Sequence, residues 1–206
     1  MPDTLNKTIF AAMIDAANVT VNENLDLLGQ LDAATGDGDH GIAIKKTIGA
    51  AKTAVTGEGT FAEILTAVGW AVMSEGVGSA GPLLGAFFMG MGENCPAEEL
   101  DAAQTAALFA AGLAGMQEHS KALVGDKTMM DAIIPAIESM QGKDDIATLL
   151  NDASAAAAAG AEATVDMVAK YGRAKNLGER SKGHMDAGAK SQSLIFAAYA
   201  KAFGEA

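Results

Sequence analysis

Apolar residues return at helical intervals from the start of the chain: Leu5, Ile9, Met13, Ala16, Thr20 and Leu27 fall on one face. That rhythm predicts a first helix over about Thr4 to Leu31, which runs into a glycine-rich acidic turn. A second is expected from His40 to about Val55. The capping-box spacing of Thr60 and Glu63 opens a third, ending around Gly76. Gly81-Pro82 starts a fourth, because proline in a first turn removes no intrahelical hydrogen bond. Pro96 followed by Glu98 and Glu99 opens a fifth, with acids at the positive end of the dipole. The remaining three are expected over about Thr128 to Met140, Asp145 to Lys170 and Gly188 to Phe203. The Asp145 helix carries an alanine run, Ala155 to Ala159, ending at Gly160, so another backbone can approach it closely. No alternating β-branched run or Asn-Gly hairpin signal occurs. The expected fold is all-α, eight helices without a sheet, and the 206 residues read as one domain with a single core.

Composition agrees. Half of the residues are apolar but only 5% are aromatic, and 11 methionines are present, which favours helices packed through small and flexible side chains. A formal charge of −12 argues against nucleic acid and anionic membranes as partners. A single cysteine, Cys95, cannot form an internal disulfide. The opening Met1-Pro2-Asp3-Thr4 lacks the basic and apolar regions of a signal peptide. The uncharged run Gly76 to Gly92 contains six glycines and Pro82, and reads as a buried turn and helix. A cytoplasmic location is expected.

The most informative stretch is Thr35-Gly36-Asp37-Gly38-Asp39-His40-Gly41, with a further acid at Asp32. Gly36, Gly38 and Gly41 can adopt positive φ, which lets the chain turn sharply enough to aim Asp32, Asp37 and Asp39 at one point. Two like charges about 4 Å apart repel by roughly 4 kcal/mol at an effective dielectric near 20. A magnesium ion, bound through a few carboxylates and a substrate's phosphates, would remove that conflict. The helix starting near His40 aims unpaired N–H groups at the same space, a seat for phosphate. An EF-hand does not fit, since the twelfth position from Asp37 is Ile48 where glutamate is needed. The competing reading is a solvated Asp-Gly turn.

Three further segments carry candidate chemistry. The stretch from Tyr171 to Gly188 contains both arginines, Arg173 and Arg180, and Lys170 to Lys190 holds six of the 14 basic residues. In so acidic a chain this makes a local anion trap, and arginine's planar fork suits phosphate. Gly76-Val77-Gly78-Ser79-Ala80-Gly81-Pro82 places small residues before a helix, where backbone amides can approach a ligand. Gly125-Asp126-Lys127-Thr128-Met129 lacks the Gly-x-x-x-x-Gly-Lys frame and the preceding strand of a Walker motif.

These segments, in this order and over most of the chain, resemble the nucleotide-binding L subunit of dihydroxyacetone kinase. The resemblance rests on Thr35 to Gly41, Gly78 to Pro82, Gly125 to Met129, Gly172-Arg-Ala through Leu177-Gly-Glu-Arg-Ser181, and Gly183-His to Gly188. It implies a barrel of eight antiparallel helices that holds ADP or ATP at one end through two Mg²⁺ ions. It also implies that Asp32, Asp37 and Asp39 are the metal ligands. Nucleotide contacts are implied from His40, Gly41, Ile42 and Ala43, from Ser79 and Ala80, from Ser120, Met129 and Arg173, and from Asp186, Ala187 and Gly188. Ala43, Ala80 and Ala187 depart from the asparagine, serine and proline frequent in the family, which removes polar or rigid elements at the nucleotide and leaves the metal ligands intact.

In that family the ketose is held on a separate K subunit, and the phosphoryl donor is either free ATP or a phosphohistidine M-type protein of the phosphotransferase system. The resemblance therefore implies a Mg-nucleotide phosphotransfer subunit, active with a K-type partner on dihydroxyacetone or a similar short ketose. Two other readings are a nucleotide-sensing module without turnover and a helical scaffold whose acidic turn is incidental.

Overall fold

Thr60 begins a helix for a visible reason: Glu63 accepts its backbone N–H at 2.8 Å while its own hydroxyl accepts that of Glu63 at 3.2 Å, the reciprocal box expected from the sequence. Side-chain caps also open several other helices in the computed structural model, which describes residues 2–75 and 78–206. Met1, and Gly76 and Val77 of the small-residue turn, lie outside the described residues. Among the described residues the α-helices are α1 Lys7–Glu23, α2 Leu25–Thr35, α3 His40–Ala54, α4 Phe61–Glu75, α5 Ala80–Glu93, α6 Ala102–His119, α7 Met130–Ser139, α8 Ile146–Ala163 and α9 Ala187–Glu205. Two 3₁₀ segments, Thr164–Asp166 and Arg173–Ser181, join α8 to α9.

The fold is all-α, with nine α-helices among the described residues where eight were expected. The expected first helix breaks at Asn24, whose side-chain amide donates to Thr20 O at 2.8 Å and draws the chain out of register. The expected fifth helix starts later than Pro96: Asp101 and Gln104 form a capping box, with Gln104 N–H donating to Asp101 at 2.8 Å and Asp101 N–H to Gln104 at 3.1 Å. The alanine-rich helix stops at Ala163 and not at Lys170. The expectation of no sheet needs one small amendment, an antiparallel pairing of β1 Leu5–Asn6 with β2 Glu99–Leu100.

Packing neighbours run in a cycle, α1 on α3, then α4, α5, α6, α7, α8 and α9, with α9 returning to α1; α2 lies against α3 and α9. The α4–α5 seam is backbone against backbone: a methyl on Gly69 would lie 2.9 Å from Gly85 O, and one on Gly85 3.0 Å from Gly69 O. Gly160 does the same for α8, since its Cβ would fall on the carbonyl of Asp131 in α7. Inside the cycle an aromatic chain closes on itself through Phe10, Phe88, Phe87, Phe109, Phe196 and Tyr199, with centroids 5.6 to 6.4 Å apart. Each such side chain contributes about 1.5–3 kcal/mol by leaving water. Between these rings lies an apolar cavity of about 30 Å³. No helix among the described residues is long and apolar enough to cross a membrane.

Candidate metal and nucleotide site

The acidic turn folds as a hinge between α2 and α3. Gly38, at φ +80°, is the one of its three glycines in the left-handed region. Gly36 and Gly41 serve by lacking a side chain: a Cβ would come 2.5 Å from Asp32 Oδ1 at the first and 2.6 Å from Leu25 O at the second. The expectation of positive φ at all three is thus corrected at two, where close approach and not chain reversal selects glycine. The outcome is convergence of Asp32, Asp37 and Asp39, each offering an oxygen within 4.8 Å of the others'. Asp32 is half-buried, accepting His40 N–H at 3.3 Å, and the other two are exposed.

These carboxylates stand at a pocket of about 400 Å³, enough for a drug-sized or nucleotide-sized ligand. Its walls come from the α2–α3 turn, the start of α5, the α6–α7 loop, the Tyr171–Ala174 stretch and the start of α9. The N-termini of α3, α5, α7 and α9 all end there, and in the first three the residue just before the helix provides no side-chain cap. Four positive dipole ends on one cavity favour an anion, while the carboxylate triad favours a cation. A cation bound to an anionic ligand satisfies both.

Most of the residues implied by the resemblance meet at this pocket: Asp32, Asp37, Asp39, His40, Ala43, Ser79, Ala80, Ser120, Met129, Arg173, Asp186, Ala187 and Gly188 line it. Gly41 and Ile42 do not; Gly41 is packed on α2, and the Ile42 side chain is 62% exposed. The Arg173 guanidinium pairs with Asp37 and stands 3.7 Å from Asp39, bridging the anion trap to the acidic turn, a contact absent from the sequence reading. Arg180 is not among the lining residues.

Two half-buried titratable groups shape the pocket wall. Ser191 on α9 donates to Gly188 O at 2.8 Å, so its oxygen is available to accept from His40 Nε2 at 3.0 Å. This arrangement leaves Nδ1 as an acceptor. Burial lowers the pKa of His40 against the pull of Asp32, keeping the ring neutral. Asp186 caps α9 by accepting Ala189 N–H at 2.7 Å, yet its burial pushes its pKa up to about 6, with the Asp131 charge adding to the rise.

The α6–α7 loop contributes more than its sequence signal indicated. Asp131, fully buried, accepts Gly125 N–H at 2.6 Å and Thr128 N–H at 2.7 Å, which folds Thr128, Met129 and Met130 onto the pocket. Asp126 ties the loop to Lys170 by a 2.6 Å ion pair that lowers the carboxyl pKa. As the missing Walker frame implied, helix α6 and not a strand precedes this loop. The Asp131 carboxylate two residues beyond Met129 is the signal that could have marked the segment as a stapled turn.

The DAK2 domain family matches residues 34–201 of the chain. The ADP-binding subunit DhaL of a PEP-dependent dihydroxyacetone kinase 2 from Listeria innocua is 34% identical over 93% of this chain and 92% of its own length. The corresponding subunit from Escherichia coli is 34% identical over 81% of this chain and 82% of its own. The dihydroxyacetone kinase of C. freundii, solved in complex with AMP-PNP and Mg²⁺, superposes with a TM-score of 0.73 at 26% identity, covering 98% of this chain and 35% of that longer one. The match in sequence and fold spans the acidic turn, the loops at the pocket and the helices that carry them, and the chain belongs to the DAK2 domain family, with L subunits of dihydroxyacetone kinases among its relatives.

Proposed function

We propose that this chain is the Mg-nucleotide-binding phosphotransfer subunit of a kinase for dihydroxyacetone or a similar short ketose, and that it works with a K-type subunit presenting the substrate. The observation that carries the reading is the meeting of three carboxylates and four helix N-termini at one pocket. Asp32, Asp37 and Asp39 would hold magnesium, two ions by the family resemblance, and bound Mg²⁺ would neutralise phosphate charge. The donor set fits, since hard oxygen ligands suit that ion.

The rest of the chemistry belongs to the chain's own groups. The end of α5, and the end of α3 beyond the His40 N–H that Asp32 accepts, offer N–H donors to the phosphates. Arg173, already beside Asp37, adds a charged fork where negative charge spreads in a loose phosphoryl-transfer transition state. His40, neutral and held by Ser191, offers Nδ1 as an acceptor. Met129, Ala187 and Gly188 form the wall for the nucleoside end, and the whole range 1–206 works as one domain. The relatives named as PEP-dependent kinase subunits support a phosphotransferase-system relay, in which bound ADP is rephosphorylated by an M-type phosphohistidine protein.

The test is reconstitution. The purified chain should bind ADP only with Mg²⁺ and should phosphorylate dihydroxyacetone negligibly until a K-type subunit is added, because docking supplies orientation that can lower a barrier by about 7–11 kcal/mol. Parallel reactions with ATP and with a phosphohistidine donor identify the source of the phosphate. Full activity of the isolated chain would overturn the reading.

A further inference from the structure

Lys127 is out of character for its place. Its backbone sits at φ +59°, a region that non-glycine residues avoid, and its side chain is 2% exposed although the residue borders the pocket. Burying an ammonium is unfavourable unless its donors are used. Two of its three are: Nζ donates to the carbonyl oxygens of Thr164 and His184. A lysine gripping phosphate would keep those donors for the ligand, whereas this one gives them to the backbone of a neighbouring segment.

That segment is the one that delivers the α9 end of the pocket. Gly183 N–H donates to Val165 O at 2.8 Å and Asp186 N–H to Thr164 Oγ1 at 2.9 Å, so the strand of chain 183–186 is laid on the 3₁₀ turn after α8. Lys127 holds both partners of this pairing at once. Two residues further along its own turn, Met129 touches the other end of the segment: a Cβ on Gly188 would lie 3.3 Å from Met129 Cβ. The turn 126–130 and the segment 183–188 are therefore joined at two points, with the pocket face between them.

We propose that Lys127 is a positioning residue for nucleotide binding, whose ammonium clamps the α6–α7 turn to the segment entering α9 and so fixes the spacing between the Met129 and Gly188 walls. The proposal rests on the nucleotide-binding reading given above. Without the clamp the carbonyls of Thr164 and His184 lose their buried donor, and the Asp186-to-Gly188 wall is free to move against Met129. The Asp32, Asp37 and Asp39 cluster, carried by α2 and α3, is not attached to this clamp.

The experiment compares the full-length parent with Lys127→Met, which keeps the stem and removes the donors, and with Lys127→Gln, which keeps one amide donor group. ADP affinity at saturating Mg²⁺ is read by titration calorimetry, and backbone amide exchange by mass spectrometry. Lys127→Met should raise the ADP dissociation constant about tenfold or more, the scale expected when hydrogen bonds from a charged donor are lost. Exchange should quicken in residues 164–166 and 183–188 while α1, α4 and α5 keep the parent's protection. Lys127→Gln should fall between parent and Met. ADP affinity within twofold of the parent in both variants, faster exchange throughout the molecule, or failure of both to fold would each overturn the positioning role. A parent that itself binds no ADP removes the nucleotide reading and this proposal with it, an outcome distinct from a variant that binds as well as a competent parent.

Discussion

Asp37→Asn separates a ligand-binding acid from a structural one, because the two roles predict opposite signs. Asp37 offers an oxygen within 4.8 Å of both Asp32 and Asp39. At that separation each like-charge pair repels by about 0.9 kcal/mol in a water-like dielectric, the appropriate limit for side chains that are 46% and 52% exposed at Asp37 and Asp39. Removing one charge relieves two such pairs, and the surface ion pair to Arg173, also lost, is worth about 0–1 kcal/mol. The ligand-free variant should therefore match the parent or exceed it by up to about 2 kcal/mol, a melting temperature roughly 0–8 °C higher for a domain of this size. With Mg²⁺ and ADP at about 100 times the dissociation constant, the parent should gain about 2.7 kcal/mol, or roughly 5–11 °C. The variant should lose most of that gain. Scanning calorimetry with and without Mg-ADP reads both quantities on the same sample. A variant destabilised by several kcal/mol without ligand, or one that keeps the parent's Mg-ADP shift, would refute the assignment of Asp37 to the metal.

Three further outcomes are expected. Arg173→Ala should weaken ADP binding roughly 10- to 150-fold, the range for a charge-assisted bond of about 1.5–3 kcal/mol, and unchanged affinity in calorimetric titration would remove Arg173 from the nucleotide site. Asp186, unfolded near 3.8 and folded at about 6, binds its proton more tightly in the folded state, so its favourable contribution is complete below 3.8 and disappears as pH rises through about 6; the gap of about 2 units corresponds to roughly 3 kcal/mol. Asp186→Asn, which can still accept Ala189 N–H, should gain stability over the parent as pH rises from 4 to 7, and a flat difference between their melting curves would count against the buried acid. Gly160→Ala should cost about 1–3 kcal/mol or more in urea denaturation because its methyl meets the Asp131 carbonyl, whereas a gain of about 1 kcal/mol, the helix-propensity effect alone, would show that α7 and α8 are not in backbone contact.

Local chemistry decided what was legible in the sequence. The Thr60–Glu63 box, Pro82 in a first turn and the Gly160 contact involve residues a few positions apart or a missing side chain, and each appears in the fold as expected. The break at Asn24 did not show, because one side chain turning back to Thr20 O outweighs an apolar rhythm that continues through it. Pro96 was a weaker start signal than Asp101 with Gln104, since only the second pair satisfies backbone donors at both ends of the first turn. The candidate site was legible as chemistry: three acids in a glycine turn, an arginine loop, small residues before a helix. What could not be read were contacts between distant segments, among them Arg173 on Asp37, Ser191 on His40, and Lys127 holding Thr164 and His184. Those are fixed by how the helices close, which no short window of sequence contains.

The closing of α9 onto α1 has a consequence for biosynthesis. Translation proceeds in chain order, so the acidic turn emerges early, while Ser191, the partner of His40 at a separation of 151 residues, belongs to the last helix described. A ribosome-bound chain exposing Asp32 to Ala174 has its carboxylates and its arginine but lacks the Asp186-to-Gly188 wall and the seam that α9 makes with α8 and α1. On the proposed reading, bound nucleotide would stabilise only molecules in which α9 has docked and completed that wall.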